Sequence, residues 1–254
     1  MCKKIGRTAA ACIIAGMTGV GFILRRLQLS GGFDANGLPL PGSGILLGVY
    51  SAIVAALAVW YCLHLEERPA YTEAFRFAIP TAAVSAAGAG LIFAGCVTAF
   101  LAGGYGMTLE KIAALLGALA AVCLVASQAS QRREAAPSPL VGMLPVVFYI
   151  VRLVGDFKNW STDPIILDYW VKLFAMLAIL LAAYYLAGFC FDRGKRRASA
   201  LFCLLAVYFS GLCLADGGVD ISLIVGGSML WQGASAWQLL RPDGDPAEAS
   251  APET

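Results

Sequence analysis

The residues best equipped for chemistry lie between Arg152 and Lys172, where Arg152, Asp156, Trp160, Asp163, Pro164, Asp168, Tyr169 and Lys172 fall within 21 positions. Where this stretch is helical, Arg152 and Asp156 share a face at i, i+4, as do Asp168 and Lys172, so each pair can neutralise itself. A second loop of similar character, RRLQLSGGFDANGLPLP, begins at Arg25 and carries Arg26, Asp34 and Pro39. Taken together, Arg26, Asp34, Arg152, Asp156, Trp160, Asp163 and Asp168 are the expected substrate-binding set of an outward-facing polar vestibule. Its solute would be small and polar or anionic: Arg26 and Arg152 would supply charge-assisted, bidentate contacts, Asp156 would hold one of them in place, and Trp160 would stack or shield. The competing reading is that these charges sit at the water interface, where Trp and Tyr anchor helices.

Other chemistries lack their residues. The chain contains one histidine, His64, whereas catalytic metal sites and His-activated nucleophiles usually need more imidazoles. No metal and no cofactor is expected. Eight cysteines include no C-x-x-C pair, and seven fall inside apolar runs, so they read as small packing residues. A formal net charge of +2 leaves no basic domain for nucleic acid. A carboxylate diad of Asp156 with Asp216 would permit a membrane-embedded enzyme, but nothing in the spacing demands it. The run from Arg152 to Asp168 resembles the third helix of microbial rhodopsins in its Arg, Asp, Trp and Pro. The final apolar run has no lysine to carry a retinal Schiff base, so that chemistry is excluded.

What must position these residues is a membrane bundle. Of 254 residues, 59% are hydrophobic and only 13% charged, and mean hydropathy is +0.76. Soluble domains carry about 25% charged residues, and so few polar side chains cannot cover a globule of this size. Runs of about 20 apolar residues, the length that crosses about 30 Å of hydrocarbon, occur eight times: Thr8 to Leu24, Ser43 to Leu63, Ile79 to Gly103, Ile112 to Ala129, Leu140 to Val154, Ile165 to Phe191, Ala198 to Ala215 and Val219 to Leu240. The fifth is the weakest, being short and containing Pro145, a residue that can kink a helix or free a carbonyl.

With the N-terminus cytoplasmic, twelve of the eighteen Lys and Arg face inward, among them Lys3, Arg68, Arg132, Arg193 and Arg241. That bias satisfies the positive-inside rule, so the expectation is an all-α polytopic bundle of eight spans in the cell membrane, N-in and C-in. The first run is read as a span rather than a cleaved signal, because Gly16, Gly19 and Gly21 interrupt it and no small-residue cleavage site precedes Arg25.

The loops after Arg25 and Arg152 also match at an offset close to half the chain. Arg26, Phe33 and Pro39 align with Arg152, Phe157 and Pro164, and Trp60 and Tyr61 with Tyr184 and Tyr185. This suggests two parallel four-helix halves, residues 1–129 and 130–240, followed by a disordered cytoplasmic tail, 241–254. Besides the lipid bilayer, the partners expected are a small solute or, alternatively, a membrane or ATPase subunit docking on the basic loops Arg132 to Arg133 and Arg193 to Arg197.

Overall fold

Each apolar run contains one long helix in the computed structural model, which describes residues 6–32, 40, 42, 44–67, 70–102, 108–160 and 170–241; the side chains of 159, 160 and 220 lie outside the description. The helices are α1 (Arg7–Gly31), α2 (Ile45–Leu63), the short α3 (Tyr71–Ala74), α4 (Ile79–Ala102), α5 (Leu109–Arg132), α6 (Pro139–Trp160), α7 (Trp170–Gly188), α8 (Arg196–Cys213) and α9 (Val219–Leu239). No strand occurs among the described residues. Seven of these helices are long and apolar enough to cross a membrane. The exception among the long ones is α9, with 21 residues but with Ser228, Gln232 and Gln238 buried in the bundle.

Two helices depart most from the sequence expectation. The short fifth run is a continuous helix of 22 residues passing through Pro145, about 33 Å at 1.5 Å per residue and long enough to span. The first helix continues past Leu24 to Gly31, carrying Arg25 and Arg26 with it, because Arg25 finds a partner inside the bundle. Residues 1–5, 33–39 and 242–254 lie outside the described residues, so neither the loop after α1 nor the C-terminal tail is placed.

Helices α4 to α9 pack in sequence, each on the next, and α9 returns onto α4 to close the circuit. Helices α1 and α2 lie outside it against α8. The closest packing, between α4 and α9, therefore joins the first half of the chain to the second. It depends on two glycines: a Cβ on Gly88 would stand 2.5 Å from the Gly227 carbonyl oxygen, and a Cβ on Gly227 would stand 2.5 Å from that of Gly88. Small residues at a crossing let membrane helices approach backbone to backbone.

Side chains are distributed opposite to a soluble protein. Ile45, Leu46, Ile79, Leu101 and Leu140 are exposed, while Arg25, Ser199, Ser210, Ser228 and Gln232 are buried. An apolar exterior around a core that keeps polar groups is what a lipid solvent stabilises. At the end of the bundle where α8 begins, buried Arg196 donates to the carbonyls of Leu239 (2.7 Å), Glu66 (3.1 Å) and Arg241. It caps the C-terminus of α9, whose last carbonyls have no helical donors, and ties the chain beyond α2 to it.

Candidate functional site

The opposite end of the bundle collects the charges. On α1 the buried stripe is Thr18, Gly21, Arg25 and Gln28, spaced by three and four residues as one helical face requires. Gly21 and Thr18 let α1 lie close to Tyr208 and Gly211 of α8. This brings the Arg25 guanidinium to the 3-10 turn Leu214–Asp216 that ends α8. Arg25 Nε donates to Asp216 Oδ1 at 2.7 Å and its Nη1 to Gln28 Oε1 at 2.9 Å. Both charged side chains are almost fully buried, at 1% and 4% exposure.

A second pair stands beside the first. On α6, Arg152 Nε lies 3.1 Å from Asp156 Oδ2 at i, i+4, as the spacing predicts. Arg152 and Asp156 share a small cavity with Lys172 and Met176 of α7, Cys213 of α8 and Ile224 of α9. The Cys213 thiol is within Coulombic reach of Asp216, Lys172, Arg25 and Asp156. Three charged side chains from α6 and α7 thus line one small cavity with Cys213, and the Arg25–Asp216 pair lies near the same thiol. Desolvating such groups costs several kcal/mol per ion unless they are paired and hydrogen-bonded, which Arg25 and Arg152 both are. The cavity has a volume of about 10 Å³, room for a single water, so the cluster is closed in this conformation.

Of the sequence candidates, Arg152 and Asp156 stand in this cluster. Arg26 does not: it lies on the exposed face of α1, with its guanidinium 6.0 Å from the Phe22 ring, and its neighbour Arg25 occupies the interior. Asp34, Asp163 and Asp168 fall outside the described residues, as does the side chain of Trp160. Asp156 and Asp216, the pair considered as an acid–base diad, each carry an arginine partner. Gln28 and Lys172 complete the group. Among the described residues no set of His, Cys, Asp and Glu could hold a metal ion.

From the cluster, polar groups continue along the seam of α6, α7 and α9. At its middle the Tyr149 hydroxyl meets Ser228 Oγ at 2.6 Å, fully buried. Because Ser228 donates its own proton to the Ile224 carbonyl at 2.6 Å, Tyr149 is the donor of that pair. Below it Gln232 Nε2 donates to the Ile179 carbonyl at 3.0 Å, where α9 faces α7. The seam ends in a second chamber of about 60 Å³ lined by α5, α6, α7 and α9. Tyr71 of α3 and Phe75 close it at the far end, with Phe75 edge-on to Phe189 at 5.2 Å. Burial pushes the Tyr71 phenol above its ordinary value, opposed by a hydrogen bond with Gln131, so it stays neutral at physiological pH.

Compared with known families, curated proteins and solved structures, the chain matches no family model, no curated protein and no solved structure. The residues themselves must carry the functional reading.

Proposed function

We propose that the chain is a small-solute transporter, or the solute-binding membrane subunit of one, crossing the cell membrane eight times with both ends of the bundle sequence cytoplasmic, the more polar α9 being carried across by its packing on α4 and α8. The observation that carries this reading is the buried Arg25–Asp216 pair beside the half-buried Arg152, Asp156 and Lys172, continued by polar groups along one seam. Ionisable side chains within a bilayer are costly, and by default they mark solute or ion pathways. In this reading the cluster is a closed outer gate. A small anionic or polar solute enters by exchanging with Asp156 or Asp216 for an arginine, and Tyr149 with Ser228 closes the seam at mid-depth.

The test is uptake into proteoliposomes over a panel of small carboxylates, phosphate, amino acids and amides, with Arg152→Ala and Asp156→Asn as variants. At least one solute is expected to enter with wild type and to be lost with Arg152→Ala. If the folded wild type takes up or is stabilised by none of the panel, or if both variants behave as wild type, the reading fails.

A groove favours a second reading, a membrane subunit that packs with a partner. Ala11, Ala15 and Gly19 of α1 face Gly211 of α8 and Gly233 of α9 across an apolar groove of about 460 Å³. Small residues of this kind receive a neighbouring helix or a lipid chain. Cross-linking through Gly19→Cys in native membranes distinguishes them, since a discrete protein adduct requires a partner helix.

A further inference from the structure

We infer that the second chamber, at the α3 end of the seam, binds a small monovalent cation such as potassium or ammonium. The first observation is a surplus of oxygen acceptors. Gln131 is buried at 8% exposure, and neither its Oε1 nor the buried Oε1 of Gln128 accepts a hydrogen bond from the protein. Both residues line the chamber. Buried acceptors left without a donor are uncommon, and an ion or water is their usual complement.

Two hydroxyls add to the surplus. Ser127 donates to the Leu124 carbonyl at 2.7 Å and Ser235 to that of Trp231 at 3.0 Å, so each has already used its proton and presents only lone pairs to the chamber it lines. The proline supplies a further acceptor. Pro145 has no N–H for the carbonyl four residues earlier, which belongs to Val141, and Pro145 and Val141 both line this chamber. A proline inside a continuous membrane helix leaves such a carbonyl to be satisfied by another group.

The lining also selects among guests. It contains no Asp, Glu, Lys, Arg or His. A divalent cation, which is usually held by carboxylates, is disfavoured, and so is an anion, which requires concentrated donors or positive charge. Neutral oxygens of amides, hydroxyls and backbone suit a singly charged ion, and Trp231, also in the lining, offers an aromatic face to it. A volume of about 60 Å³ admits such an ion with a few waters. None of these observations requires solute transport, so the site stands or falls apart from the outer cluster.

The experiment uses the full chain in lipid nanodiscs. Its thermal unfolding midpoint is titrated with potassium, ammonium and sodium chlorides against choline chloride at matched ionic strength. A saturable rise is expected with at least one small cation and not with choline. Gln131→Leu should abolish it. Should that variant fold poorly, Ser235→Ala and Gln128→Asn should each raise the half-saturating concentration several-fold, while Thr98→Ala, outside the chamber, should not. No saturable rise with any small cation would mean the chamber holds water alone. An equal rise with choline, or one unchanged in every chamber variant, would equally overturn the assignment.

Discussion

Arg25 and Asp216, 191 residues apart, meet at 2.7 Å in a place from which almost all solvent is excluded. The contact fixes the end of α1 to the end of α8 and carries a positive charge into the bundle. Breaking a buried ion pair by removing one partner typically costs about 3–5 kcal/mol. Asp216→Ala is therefore expected to lower the unfolding midpoint sharply. The double replacement Arg25→Met with Asp216→Leu should recover most of the loss while abolishing any solute response. A double variant no more stable than the single would show that the pair is not the source of the cost.

The Tyr149 and Ser228 pair is asymmetric, and its variants should be too. Tyr149→Phe removes the donor and leaves Ser228 still bonded to Ile224, a loss of about 1 kcal/mol for a typical hydrogen bond. Ser228→Ala instead leaves a fully buried phenol without its acceptor, at about 1–3 kcal/mol. Chemical denaturation in mixed micelles should rank Ser228→Ala as the more damaging; the reverse order would refute the assigned proton direction.

Gly88 and Gly227 leave no room for even a methyl group. Each Cβ would meet the other backbone's carbonyl oxygen, which cannot rotate away as a side chain can. Gly88→Ala is expected to cost about 1–3 kcal/mol by overpacking, and Gly88→Leu to prevent a stable monodisperse protein on size exclusion. Gly90, with nothing near its Cβ, is the control and should tolerate alanine.

Arg196 serves three carbonyls on two segments, a task that suits a planar fork better than an ammonium. Arg196→Lys should therefore rescue Arg196→Ala only in part. Hydrogen exchange should rise in the last turn of α9 in both, and more in the alanine variant. Uniform exchange changes along the chain would point to general destabilisation instead.

Hydropathy and length made the long helices legible, since an apolar run bounded by charge has few alternatives in lipid. Even the run weakened by Pro145 formed a helix, because apolar residues continue on both sides of the proline. The site was legible where its residues were local: the four-residue spacing of Arg152 and Asp156 is enough to predict their pair. The Arg25 and Asp216 pair was not, since no local spacing connects two residues so distant. A signal for choosing Arg25 over Arg26 does exist. Thr18, Gly21, Arg25 and Gln28 form a small and polar helical stripe, and Arg26, one residue on, turns about 100° away from it. The acceptor chamber was hidden for another reason: glutamine and serine near the ends of apolar runs look like ordinary interfacial residues until four helices bring them together.

The distance along the chain between Arg25 and Asp216 also sets an order of events at the ribosome. At about 5–20 residues per second, the carboxylate is made roughly 10–40 s after the guanidinium it neutralises. During that interval the Arg25 guanidinium is without this carboxylate. The contact that holds the end of the first helix is thus made only after all of α8 has been synthesised, and a chain truncated before Asp216 would keep the packing of α1 on α8 but lack this tie.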